Sequence, residues 1–262
     1  MNNILLTVIT ISYNSEAEIG QTIESVINLN YNNVEYVFID GGSADATVEV
    51  INSYDEQLNK RGIKKILLSE KDKGIYDAMN KGLKIASGDS VIFMNAGDIF
   101  SPALDLSSLI SNNDLSNNII IGFSIQHFNG DYYLRPKKSN IQHLINYPAH
   151  QAIFVPRKCY KAANFNDDMK IAADYYWIKD VLKLAEHTIV DTVIAIFALG
   201  GKSTSKKWSD INLMYKEMGV KFRIAKSALK FFFFNFLGRK AAFRLIYRNN
   251  YTRLQDAKDY HD

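Results

Sequence analysis

Carboxylates recur in this chain where apolar runs give way to turns. Asp40 follows the run 34–39 and precedes Gly41-Gly42-Ser43. Asp72 lies in Glu70-Lys71-Asp72-Lys73-Gly74, after the run 66–68. Asn95-Ala96-Gly97-Asp98 follows the run 91–94, and Ser12-Tyr13-Asn14 follows the first run, 5–12. A carboxylate so placed can accept hydrogen bonds from a uracil or a ribose, hold a hard divalent cation, or take a proton from a hydroxyl. Asp174, in IAADYYWIKDVL, adds a carboxylate at a helix start, where the dipole favours ionisation. Each also has a plain structural use. Asp40 and Asp98 suit turns, Asp72 complements a helix dipole, and Asp174 fits an N-cap.

The elements that must hold these residues follow from periodicity. Ser15, with Glu18 three residues on, predicts a capping box. The helix behind it puts Ile19, Ile23, Val26 and Ile27 on one face. Asp45 opens a second helix carrying Val48, Val50 and Ile51. Residues 75–86 form a third, closed by Ser87-Gly88 as a C-cap. Strands alternating with helices, and apolar throughout, predict an α/β fold: a mostly parallel sheet with helices on both faces. Ligands of such sheets sit beyond the carboxyl ends of the strands, so the four strand ends present one site. Further on, 119–125 and 132–134 flank Asn129-Gly130 as a hairpin. Residues 151–155 and 188–197 read as strands, 174–185 as a helix, and Gly200-Gly201-Lys202-Ser203 as a polar loop.

The 262 residues are 47% hydrophobic and 23% charged, which suits one large domain or one domain with an appendage. One cysteine, Cys159, rules out an intrachain disulfide and Cys-rich structural zinc, and suits a reducing compartment. Residues 1–11 lack a basic start and a cleavage site, and read as a strand rather than a signal peptide. No apolar run reaches the ~18 residues of a membrane span. Charge is uneven. Residues 1–205 carry 18 Lys/Arg against 23 Asp/Glu, whereas 206–262 carry 13 against 5. The acidic body argues against nucleic acid as a partner, and the basic tail calls for an anionic surface.

Six segments together resemble glycosyltransferase family 2: VITISYNSEAEIGQTIESV, YVFIDGGSADATVEVI, SEKDKGIYDAMNKGLKIASGDSVIFMNAGDIF, HQAIF, ADYYWIKDVL and GGKST. The likeness is greatest to a colanic-acid-type subgroup that builds bacterial surface polysaccharide. The resemblance implies a GT-A fold over residues 1–205, a nucleoside-diphosphate-sugar donor (UDP favoured over GDP), Mg²⁺ or Mn²⁺, and inversion at the anomeric carbon. By the same resemblance Ile11 and Tyr13 line the base, Asp40 contacts the nucleoside, and Asp72 and Asn80 reach the donor. Asp174 matches the base that activates the acceptor. His150-Gln151 matches a pair that meets acceptor or donor phosphates, and Lys202 closes near phosphate. A lone His is as often structural, and the aromatic run Tyr175-Tyr176-Trp177 serves either a sugar or the core. Asn95 and Asp98 take the place of the DXD metal motif. The family offers two or three carboxylates there and this chain offers only Asp98, which lowers the expected metal affinity.

The tail, 206–262, mixes Phe, Leu and Ile with Lys226, Lys230, Arg239, Lys240 and Arg244. It reads as a basic helical appendage for an anionic membrane surface, or for the body or a second copy of this chain as a homodimer. The combined expectation is a cytoplasmic transferase, peripheral to the inner face of the cell membrane, acting on a lipid-linked glycan. A sugar nucleotidylyltransferase needs a Gly-rich basic loop after its first strand, and Ser12-Tyr13-Asn14-Ser15-Glu16 has neither feature. A non-catalytic subunit of a polysaccharide assembly complex is the second reading, because the metal motif is thin.

Overall fold

Alternate residues of a strand face opposite sides of its sheet. The computed structural model describes residues 3–128, 132–136, 149–198, 207–219, 228–229, 231–232 and 251–254. Its centre is four parallel strands, β1 (Leu6–Ser12), β2 (Val34–Asp40), β3 (Lys64–Ser69) and β4 (Ser90–Phe93), in the order β3-β2-β1-β4. Every residue of β1, β2 and β4 is buried. Leu6, Val8, Tyr36, Phe38 and Ile92 face one layer, built by α1 (Ile19–Ile27), α2 (Thr47–Ser53), α3 (Asp55–Lys60) and α5 (Leu106–Asn112). Ile9, Ile11, Val37, Ile39, Val91 and Phe93 face the other, built by α4 (Ile75–Ile85), α6 (Arg157–Tyr160) and α7 (Ala173–Val181). Each such side chain contributes about 1.5–3 kcal/mol. Helix α4 comes so close that a Cβ on Gly82 would lie 2.6 Å from Ile9 Cγ2.

Beyond β4 the sheet becomes mixed. β8 (Ile153–Pro156) is antiparallel to β4, and β6 (Ile119–Phe128) is antiparallel to β8. β7 (Tyr132–Pro136) pairs with β6 across the expected hairpin, although Asn129-Gly130 lies outside the described residues. β9 (His187–Ala198) runs parallel to β6 and carries the short β5 (Ile99–Phe100). In the tail, α8 (Trp208–Glu217) is helical as expected, but Tyr251–Leu254 is a strand, β10, on the edge of β7. Trp208, Leu229 and Phe232 are exposed. Among the described residues no helix is long and apolar enough to cross a membrane.

Two expected local signals are overridden by tertiary contacts. The capping box fails because the loops after β1 and β2 bond to each other. Ser15 N–H goes to Thr47 Oγ1, Glu16 accepts from Ala46 N, and Glu18, at the N-cap, makes no side-chain cap. Asn14 takes the left-handed conformation at this junction, with φ 49°. The Ser87-Gly88 cap fails likewise. Ala86 is extended and Gly88 is not left-handed. Ser87 instead donates its N–H and its hydroxyl to the Glu35 carboxylate, and Gly88 N–H goes to Thr7 Oγ1.

Glu35 is fully buried in β2. It accepts from Thr7, from Ser87 twice and from Lys64. Burial raises its pKa, but these donors outweigh burial and hold it below its ordinary value of 4.5. A depressed carboxylate stabilises the fold above that value and loses its contribution as pH falls through the folded pKa. Glu35→Gln is expected to cost roughly 2–4 kcal/mol at pH 7 in urea unfolding. The variant's stability should also fall less steeply below pH 4.5 than that of the natural chain.

Candidate active site

In-register parallel pairing sets Ser12, Asp40 and Ser69 side by side where β1, β2 and β3 end. Asp40 is fully buried there, and all its lone pairs are taken. One carboxylate oxygen accepts from Ser12 Oγ at 3.3 Å and from Ser43 Oγ. The other accepts from Gly42 N at 3.2 Å, Ser43 N at 2.9 Å and Ser69 Oγ at 2.7 Å. Burial raises its pKa, and these donors more than reverse the effect. Asp40 thereby ties three strand ends together.

The acceptor that faces outward is Asp72. A Cβ on Gly41 would lie 2.6 Å from Asp72 Oδ2 and 3.3 Å from the Tyr13 ring, so the glycine makes room for both. Oδ1 of Asp72 accepts from Gly74 N at 2.9 Å. Burial and the negative charges of Asp77 and Asp40 raise its pKa, against the Gly74 N–H and Lys81. Tyr13 is 63% exposed, and Ile11 beneath it is buried. Asn80 is not in this group. Its amide is used at both ends, donating to Phe165 O at 2.9 Å and accepting from Phe165 N at 2.8 Å. The clip sets Phe165, which stacks on Tyr76 and Trp177. Trp177 is core, its Nε1 donating to Ala163 O.

A second cluster forms at the end of β4. The 3-10 turn His150–Ala152 brings its side chains to Asn95 and Asp98. Gln151 Nε2 donates to Asp98 Oδ2 at 2.9 Å. Asn95 Nδ2 lies 3.1 Å from His150 Nε2, and His150 Nδ1 lies 3.5 Å from Asp174 Oδ2. A proton on Nδ1 satisfies both contacts, since Nε2 then accepts from the amide. Asp174, in the first turn of α7, also accepts from Tyr175 N at 2.9 Å and faces the Tyr76 hydroxyl at 3.5 Å. Six residues from four separate stretches of the sequence thus meet. Lys202 lies outside the described residues. Tyr76 went unnoticed in the sequence because it reads there only as an apolar-face residue of α4.

Asp98 is buried, and burial pushes its pKa up to about 6 from 3.8, against the pull of Gln151, His150 and the Asn95 backbone. Among the described residues no group of three or more His, Cys, Asp or Glu could hold a metal ion. Two side chains nevertheless suit one: the Asp98 carboxylate, and Asn95, whose buried Oδ1 has no hydrogen-bond partner among the described residues. They are hard donors of the kind Mg²⁺ and Mn²⁺ prefer. Those ions take their remaining ligands from phosphate and water.

A model of the family described as "Glycosyl transferase family 2" matches residues 7–172. The chain belongs to glycosyltransferase family 2. A family relative with 28% identity, an uncharacterized glycosyltransferase of Mycobacterium tuberculosis, aligns over 82% of both chains. A "PGL/p-HBAD biosynthesis glycosyltransferase" of Mycobacterium bovis is 31% identical over 94 residues, or 36% of this chain and 36% of that relative. An uncharacterized glycosyltransferase of Haemophilus influenzae, 34% identical over 101 residues, is likewise matched over only 39% of its length. Among solved structures, S. aureus TarS 1-349 in complex with UDP superposes with TM-score 0.58 at 19% identity, over 92% of this chain and 74% of that one. The mannosyltransferase PcManGT of Pyrobaculum calidifontis, in complex with GDP-Man and Mn²⁺, gives TM-score 0.63 at 16% identity, over 86% and 64%. At these identities the likeness establishes the shared GT-A-like α/β fold.

A carboxylate with a raised pKa weakens the fold as pH rises from 3.8 towards 6, where the folded group ionises. Asp98→Asn keeps an acceptor for Gln151 and removes that charge. It is expected to gain roughly 2–3 kcal/mol above pH 6, with the gain vanishing below pH 4. Urea unfolding at several pH values measures it.

Proposed function

We propose that this chain transfers a sugar from a nucleoside diphosphate to an acceptor hydroxyl, with inversion at the anomeric carbon. The observation that carries the reading is the Asn95–His150–Asp174 contact chain beside Asp98, at the carboxyl ends of the parallel strands. In this reading the acceptor oxygen attacks the anomeric carbon from the side opposite the diphosphate. The new C–O bond forms as the bond to phosphate breaks, and the diphosphate departs with that electron pair. The acceptor proton passes to the Asp174 carboxylate, acting as general base. His150 Nδ1–H orients that carboxylate, and Asn95 Nδ2 holds the other face of the ring.

Asp98 and Asn95 Oδ1 are the residues that would hold Mg²⁺ or Mn²⁺, whose positive charge stabilises a leaving diphosphate. A carboxylate that weakens the fold at neutral pH suits a group retained for binding. Asp72 Oδ2 and the Tyr13 ring form the base site, with Ile11 as its floor. UDP is the favoured nucleotide, and GDP is the other that family-like folds carry, as in TarS and PcManGT. The acceptor is a lipid-linked glycan of a bacterial surface polysaccharide. The basic tail holds the enzyme on the inner face of the membrane, with a second copy of the chain as the other partner for that tail.

The test is thermal stability with UDP, GDP, CDP and dTDP, each with and without Mn²⁺. At 100 times its dissociation constant a nucleotide adds about 2.7 kcal/mol to the folded state. One nucleotide should stabilise only with Mn²⁺, and Asp98→Ala should abolish the effect. No stabilisation by any at millimolar concentration would favour a non-catalytic subunit, a reading to which the single metal-site carboxylate lends weight. Asp174→Asn should lower turnover roughly 10²–10⁴-fold while leaving nucleotide stabilisation intact.

A further inference from the structure

The segment that carries Asp174 is held from outside. Three successive backbone amides, Lys170 N, Ile171 N and Ala172 N, all donate to one carboxylate, that of Glu217, at 2.8, 2.9 and 2.9 Å. Successive amides converging on one point form a nest for an anion. Glu217 is the last residue of α8, in the region that composition sets apart as a tail. The contact is reciprocal. The backbone carbonyl of Glu217, an end group of its helix, accepts from the Tyr176 hydroxyl at 2.9 Å. The bonded groups thus bracket Asp174, at 170–172 before it and at 176 after it. Ile211, buried on α8, seats the helix in place. The Glu217 charge also reaches the site. After burial and Asp174, it is among the causes that push the Tyr76 hydroxyl up, and that hydroxyl faces Asp174.

We infer that Glu217 is a positioning residue for the general base, and that α8 is therefore part of the catalytic unit rather than an appendage. The inference rests on Asp174 being that base. Asp174 sits two residues past the nest, in the first turn of the helix that follows it. With Glu217 in place, the start of α7 is fixed, and the carboxylate stays within reach of His150. Without it, three amides lose one shared anion, and the first turn of α7 loses its register against His150.

The experiment compares the full chain with Glu217→Gln, Glu217→Ala and Asp174→Asn. Turnover is read as nucleoside diphosphate released from UDP-N-acetylglucosamine and from GDP-mannose, with Mn²⁺ and with water as acceptor. Glu217→Ala should lower kcat roughly 10- to 100-fold, the scale of a misplaced group, with donor KM within about twofold. Glu217→Gln keeps one acceptor oxygen and should fall between the two. A general loss of folding would instead lower nucleotide stabilisation and kcat together. Hydrogen–deuterium exchange needs no turnover: the amides of 170–172 should be slow in the natural chain and fast in Glu217→Ala, while α4 stays unchanged. Unaltered exchange at 170–172 overturns the inference, whether or not either donor turns over. If Asp174→Asn is inactive while Glu217→Ala keeps the natural kcat, the role of Glu217 falls alone. If Asp174→Asn is fully active, the base assignment falls, and the route through Glu217 falls with it.

Discussion

Parallel pairing of β1, β2 and β3 brings their carboxyl ends to one line, where a buried carboxylate needs donors. The row Ser12, Asp40, Ser69 supplies them, with the two serine hydroxyls flanking the carboxylate. One buried carboxylate accepts from all three strand ends and from the turn that follows β2. A charge removed from water this completely is tolerable only because every lone pair finds a donor. The saturation also fixes the loops above. With Gly42 and Ser43 anchored, the β2 loop can zip to the β1 loop through Asn14, Ser15 and Glu16. The exposed Tyr13 and the half-buried Asp72 then stand on this anchored base.

The two halves of the site differ in kind. On the β2 side the ligand-facing groups are an exposed ring and a carboxylate, arranged over a glycine. On the β4 side they are a half-buried chain of amide, imidazole and carboxylate, packed on aromatic rings. Phe93 meets His150 edge-on, and Trp177 and Phe165 stack beneath. Such surroundings strengthen each polar contact of the chain, and burial raises the pKa of Asp98 beside it.

Much of the fold was readable from periodicity. The four parallel strands and the helices α1 and α4 lie where continuous apolar runs and 3.6-residue spacing put them. The site was readable in outline, since the polar residues at strand ends do line one edge. What failed depended on partners distant in sequence. A serine three residues before a glutamate reads as a cap, yet Ser15 was claimed by Thr47. The five donors that meet Asp40 come together only in space. The hold that Asn80 has on Phe165, 85 residues away, is likewise visible only in space. Short elements such as α3 and β5 carry too few residues for a period to show. Nothing local to Glu217 signals its role, because the amides it holds lie on a different helix start.

The place of Glu217 along the chain sets an order in time. A polypeptide emerges from its amino end, at roughly 5–20 residues per second. The parallel strands, the loops above them and Asp174 itself are all made before α8. For a few seconds the nascent protein has its parallel strands and its polar edge, but the start of α7 has no anion to close on. Closure of the start of α7 is thus a late event of synthesis, timed by α8 rather than by the core.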